Sequence, residues 1–315
     1  MPRWARFSAA VLAACVLAAG CTEAQNGSLR SGREAQVLEL HQRAQQGDVD
    51  AQVMLGQMFE LGLDAPQNYA EAVRWYRLAA DQGDADAQNG LGLMYSNGLG
   101  VPQSDAEAVR WLRLAAEQGN VDAQYSLGFM YDAGRGVPQS DAEAARWLRL
   151  AADQGDADAQ YNLSAMYELG RGVTQNEAEA VRWLRLAAEQ GNARAQYSLG
   201  FKYFFFGGVP QNHTEAARWF QLAAEQGNAP AQVMLGLMCR FGEGVPQDYA
   251  EAYKWYTLAA DAGDADAQMF RATAQQVRAT AQQGRDRIMQ SMTPAQIAEG
   301  QRRVAEWRPT NGPRQ

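Results

Sequence analysis

Apolar residues recur along most of this chain at helical spacing. Between Asp84 and Gly98, Ala87, Leu91, Met94 and Tyr95 fall at i, i+4, i+7 and i+8, which gathers them on one face of a helix. Asp84 stands at the N-cap position, with Asp86 as the alternative start, because a short side-chain oxygen can accept from the free N–H groups of a first turn. Gly98-Leu99-Gly100 supplies the permissive backbone of a left-handed C-cap, and Val101-Pro102 forbids the helix from continuing. A second stripe follows: Ala108, Trp111, Leu112 and Ala115, opened by Ser104 three residues before Glu107 and closed at Gly119. The pattern predicts two helices, A and B, of about a dozen residues each, neither of which could stand alone in water.

The pair is copied at a period of 36 residues, seen in Trp75, Trp111, Trp147, Trp183, Trp219 and Trp255 and in the glycines at 83, 119, 155, 191, 227 and 263. Each copy keeps the spacing of a capping box: Asn68 with Glu71, Ser104 with Glu107, Ser140 with Glu143, Asn176 with Glu179, Asn212 with Glu215, Asp248 with Glu251. Each is read as a full box, in which the glutamate also reaches back to the N-cap N–H. Glu107 and Arg110, at i and i+3, form a surface pair present in every copy. Self-similarity at this period predicts an all-α solenoid of tandem helix-turn-helix repeats, in which each unit buries its apolar face only against its neighbours.

The combination Ala87-Gln88, Leu91-Gly92, Tyr95, Gly98-x-Gly100-Val101, Ala108, Trp111, Ala115-Ala116 and Gly119 resembles the Sel-one-like repeat, a relative of the tetratricopeptide repeat. It is matched six times over residues 48–268. Four positions depart from it: Asp64 for the second loop glycine, Ser164 for the helix A glycine, Phe206 for the first loop glycine, and Cys239 for the tyrosine. The resemblance implies a right-handed superhelical α/α solenoid with helix A on the concave wall. It also implies a non-enzymatic scaffold that binds a protein or peptide partner there, the alternatives being a surface-exposed or secreted factor that binds a host molecule and, third, a peptidoglycan-related or β-lactamase-like enzyme.

The ends differ from the array. Arg3 and Arg6 precede an uncharged apolar run from Phe7 to Ala19, short for a membrane span and of the length of a signal h-region. Residues 1–20 are read as a signal peptide. Leu17-Ala18-Ala19-Gly20-Cys21 resembles a bacterial lipobox, which implies lipidation of Cys21, membrane attachment through it, and an outer-membrane lipoprotein facing the periplasm; a plain secretory peptide is the other reading. Residues 21–34 read as a polar tether, and residues 35–47 as a capping helix with His41 near the tryptophan position. Residues 269–307 read as a C-terminal helical cap: one helix to about Gln283, then another with Thr293 as N-cap, Pro294 at N1, and Ile297, Val304 and Trp307 on its apolar side. Residues 308–315 read as a disordered tail.

Charge and cysteines narrow the function. The formal charge is −8, while from Met269 onward eight arginines face only Asp286, Glu299 and Glu306. The array is therefore strongly acidic, which argues against nucleic acid. The basic end leaves two readings open: pairing with the acidic array, or contact with anionic lipid or glycan. After export and lipidation Cys239 alone would remain, so no intrachain disulfide is available, and the residue reads as a small buried hydrophobe. The cysteine-rich relatives linked to penicillin binding staple each repeat with pairs that this chain lacks. His41 and His213 lie in different copies, which leaves no metal cluster, no Ser/His/Asp grouping, no cofactor motif and no catalytic constellation.

What remains is recognition, and the resemblance implies that the variable positions 86, 89, 93, 96 and 97 of helix A, with their equivalents, face the ligand. Column 89 contains Tyr125, Tyr161 and Tyr197; column 93 contains Phe129 and Phe201; column 96 contains Asp132, Glu168, Phe204 and Arg240. These residues, with Phe205, are the partner-binding candidates. The aromatics fit two arrangements: an exposed ladder that anchors a peptide, or packing between successive A helices. In the run Tyr203-Phe204-Phe205-Phe206 at most two residues can face the core, so an exposed patch is expected. It is expected to comprise Tyr197, Phe201, Phe204 and Phe205, flanked by Glu168 and Arg240, with Phe204 and Phe205 dispensable for folding.

Overall fold

A computed structural model describes residues 35–205, 207–261 and 271–308, with the backbone alone over 271–278. The signal-peptide, Cys21, tether, Phe206 and tail readings lie outside the described residues. Among those described, fifteen helices form and no strand does. Helix α1 spans 35–45. Six A/B pairs follow, every helix 13 residues long: α2 (Val49–Leu61) with α3 (Tyr69–Asp81), α4 (Ala85–Asn97) with α5 (Asp105–Glu117), and α6 (Val121–Ala133) with α7 (Asp141–Asp153). Then come α8 (Ala157–Leu169) with α9 (Glu177–Glu189), α10 (Ala193–Phe205) with α11 (His213–Glu225), and α12 (Ala229–Phe241) with α13 (Tyr249–Asp261). Helices α14 (Arg271–Met289) and α15 (Pro294–Glu306) close the chain, making an all-α repeat solenoid.

Helix boundaries follow the predicted punctuation. The Asp84 carboxylate accepts from the Ala87 N–H, and α4 ends at Gly98, whose φ of 68° and ψ of 32° are the left-handed conformation that glycine adopts without a Cβ clash. Asp64, in place of a loop glycine, takes φ 55°, a conformation aspartate tolerates better than most residues.

The capping boxes form only halfway. In all six copies the N-cap side chain accepts from the glutamate N–H, as from Glu71 and Glu107. The reciprocal bond is absent because the N-cap N–H already donates, at 2.8–3.0 Å, to a carbonyl of the preceding helix A: Phe59, Tyr95, Tyr131, Tyr167, Tyr203 or Cys239. The glutamate is thereby released to the cation three residues on, with N···O of 3.0–3.4 Å in the five arginine pairs and Glu251–Lys254 in the sixth copy. Each arginine lies 4.2–5.0 Å over its neighbouring tryptophan ring. The five arginine pairs are exposed and contribute a few tenths of a kcal/mol each. The cation–π contact adds about 0.5–1 kcal/mol where it is partly covered. The complete capping box joins Thr293 and Gln296 at α15.

Two compact units divide the chain, Met1–Gln154 and Gly155–Gln315. In the first, Ala87, Leu91, Met94 and Trp111 are buried together with Tyr76, and His41 meets the Trp75 ring edge-on at 6.0 Å. Helix A approaches helix B closely at Gly92, where a Cβ would stand 2.7 Å from the Leu112 side chain. In the second, Phe220, Leu235, Met238, Trp255 and Ile288 form the largest cluster, with Val304 and Trp307 packed against it. Helix α14 runs to Met289, past the expected Gln283, because Ala281 and Ile288 are buried there and Gly284 seats against the Tyr256 ring. The basic end pairs with the array: the Arg303 guanidinium donates to Asp248 at 2.8 Å and to Glu251 at 2.9 Å.

A polar ladder runs through this apolar packing. The buried residues Gln52, Gln88, Gln124, Gln160 and Gln196 each accept, at 2.7–2.8 Å, from the glutamine 30 residues later. Gln52, Gln88, Gln124 and Gln196 in turn donate to the alanine carbonyl eight residues earlier, as Gln88 does to Ala80 at 3.2 Å. Each such bond inside the core stabilises by about 1 kcal/mol, and an unmet partner would cost more.

A candidate interaction surface

The last turns of α10 carry the densest group of predicted residues. Tyr197, Phe201 and Phe205 are four apart and so share one helix face. Their rings run in contact, with centroids 6.2 Å apart for Tyr197 and Phe201 and 4.5 Å for Phe201 and Phe205. Phe201 is 42% exposed and Phe205 55%. Tyr197 is half-buried, its ring 5.8 Å from Phe220, and burial together with Tyr161 raises its phenol pKa. It roots the stripe in the core, while the two phenylalanines stand out from it.

Phe204 does not belong to this surface. Only 8% exposed, it belongs to the core cluster with Phe220 and stacks on the His213 ring at 4.7 Å and 12°. The expectation that it is exposed and dispensable is therefore corrected. At 100° per residue Phe204 and Phe205 diverge, and Phe204 points back at the N-terminus of α11. Of the other candidates, Tyr161 is half-buried against the cluster of Leu184, Leu199 and Trp219, with the Arg194 guanidinium 5.0 Å from its ring. For Tyr161, packing against the next A helix, at Leu199 and Arg194, thus describes part of the ring, whereas Tyr197 packs on Phe220 of helix B in its own repeat.

Glu168 is bound to an unexpected partner. Lys202 Nζ donates to its Oε1 at 2.7 Å, although the lysine side chain is itself buried. Arg240 lies over Phe241 at 4.9 Å. In the first unit, Tyr125 and Asp132 are half-buried on α6 and Phe129 is exposed.

The Sel1 repeat profile matches residues 49–84, 85–120, 121–156, 157–192, 193–228 and 229–264. This chain belongs to the Sel1 repeat family. A crystallised Sel1 repeat protein from Oxalobacter formigenes is 32% identical, over 68% of this chain and 86% of that one, with a TM-score of 0.62. An antigen with an SLR fold from uropathogenic Escherichia coli, c5321, described as protective, is 25% identical over 85% of each chain, with a TM-score of 0.29. Immunity protein Pa5087 from Pseudomonas aeruginosa is 21% identical over 76% of this chain and 81% of that one, with a TM-score of 0.42. No curated protein matches significantly. Sel1 repeats point to protein partners, and the family is in general a non-enzymatic repeat scaffold.

Two features of the Sel1 array go beyond the named candidates. Leu169, Phe205 and Phe241 occupy the final position of helix A in three consecutive Sel1 repeats of the second unit, and all are exposed, Leu169 at 66%. They belong to the 97 column, one of those the resemblance turns toward a ligand, which is Asn97 and Ala133 in two earlier Sel1 repeats. Lys202 interrupts a column otherwise filled by Met58, Met94, Met130, Met166 and Met238, and that break was its signal. Among the described residues no group of three or more His, Cys, Asp or Glu gathers as for a metal ion.

Proposed function

We propose that this Sel1 repeat protein is an interaction scaffold of the bacterial envelope, which docks a protein partner on the apolar surface at the end of α10. The observation that carries this reading is the exposure of Phe201 and Phe205 in ring contact, with Leu169 and Phe241 repeated in register on the A helices of the second unit. Exposed aromatic rings in mutual contact favour a docking surface, because aromatic anchors dominate binding energies. Export and attachment through a lipid on Cys21, with the array facing the periplasm from the outer membrane, are part of the proposal and rest on the apolar run and Leu17-Ala18-Ala19-Gly20-Cys21.

Two experiments test it. A photo-crosslinking amino acid at position 205 is expected to give a discrete adduct in cells, absent when it replaces Arg110. The variant Phe201→Ser/Phe205→Ser is expected to stay folded by circular dichroism and to lose about a thousandfold in affinity for that partner, since each anchor contributes about 2 kcal/mol. Undiminished capture by the folded variant would remove this surface from the reading. The anchoring part stands separately: Cys21→Ser should abolish labelling by a fatty-acid analogue, and continued labelling would refute it.

A further inference from the structure

Where the fifth repeat meets the sixth, two positions that normally touch are both changed. Elsewhere a helix B arginine donates to the hydroxyl of a tyrosine 18 residues later, in the following helix A: Arg77 to Tyr95, Arg113 to Tyr131 at 2.7 Å, and Arg185 to Tyr203 at 3.1 Å. At this junction the arginine is replaced by Gln221 on α11, in the fifth repeat, and the tyrosine by Cys239 on α12, in the sixth. Loss of the ring leaves an opening between α11, α12 and α13, a cavity of about 480 Å³. Ala217, Leu235, Cys239, Val245 and Trp255 form its apolar side, and Gln221, with the charged groups of Arg218, Asp248, Glu251 and Arg303, its polar side.

That volume lies in the range of sites that take small organic groups. Leu235, Cys239 and Trp255 are buried, so the floor is apolar. The thiol adds no charge, because burial pushes its pKa up to about 12. Arg218 at the rim is held by Glu215, and Arg303 by Asp248 and Glu251. These cations are neutralised, which disfavours an anionic ligand. The Gln221 Nε2 donates to Glu225 at 2.6 Å, which leaves its amide oxygen to accept from a hydroxyl. The site therefore suits a neutral aromatic ring bearing an O–H donor.

We propose that this cavity binds the tyrosyl side chain of a partner chain, seated where the column's own tyrosine ring lies in the earlier repeats. The template is internal: Tyr95, Tyr131 and Tyr203 show what the equivalent space holds and how its hydroxyl is met. The site is independent of the aromatic surface on α10 and stands whether or not that surface is used.

The probe is p-cresol, the tyrosine side chain alone, titrated into the full chain with ligand-observed saturation-transfer NMR. Saturable millimolar binding is expected, lost at least tenfold in Cys239→Tyr, which fills the cavity, and retained in Gln221→Arg, whose guanidinium donates to the phenol oxygen instead. The double variant Cys239→Tyr/Gln221→Arg restores the pattern of the earlier repeats and should melt above the wild type. Unsaturable binding by the wild type, undiminished binding by a folded Cys239→Tyr chain, or a Cys239→Tyr chain that cannot fold would each overturn the proposal, the last because the space would then not hold a ring.

Discussion

Trp147→Ala is expected to cost about 3–5 kcal/mol, the range for removing a large buried aromatic whose surroundings collapse only partly. The ring is 4% exposed and packs with Leu127 and Met130 of its own repeat and with Leu112 of the preceding one. Because a repeat is stabilised mainly by its neighbours, the loss should be regional. Hydrogen exchange in α5, α6 and α7 should accelerate well before α2 and α3 respond. Thermal unfolding indistinguishable from wild type would contradict the packing described.

Phe204→Ser and Phe205→Ser should separate two adjacent residues of one composition. At position 204 the substitution removes a ring from the core and leaves a hydroxyl facing the His213 ring, so a loss of about 3–5 kcal/mol is expected. At position 205 the ring is more than half exposed, and the expected change is within about 0.5 kcal/mol. Denaturant midpoints of the two single variants measure the difference directly. Equal midpoints would mean that the helix face assigned to α10 is wrong.

The repeat period carried most of the fold into the sequence, because a helical hairpin copied in tandem has few ways to bury one apolar face. Column by column, Ala87, Leu91, Trp111 and Leu112 are core as their spacing indicates. Pairwise preferences were harder to read. The spacing of Ser104 and Glu107 gave the N-cap correctly but not the fate of the carboxylate, which depends on a carbonyl from the preceding helix reaching the same N–H first. At the candidate site, α10 places five aromatics in its last nine residues, and composition alone cannot tell which of two neighbours turns inward. Lys202 shows the same limit from the other side: it stands buried in a methionine column, and only the structure brings Glu168 to pair with it.

The glutamine ladder gives the array a direction. Every rung donates toward the N-terminus, so each repeat needs an acceptor behind it and offers one ahead. At the far end Gln232 Oε1 is buried without a partner among the described residues, and the position 30 residues on is alanine, which has no amide to give. A further 36-residue copy inserted within either unit would meet matching groups on both sides, whereas one added beyond Gln232 would need the missing glutamine restored. Duplication inside the gene is thus chemically silent, and the length of such an array is free to drift across generations while its last repeat stays distinct.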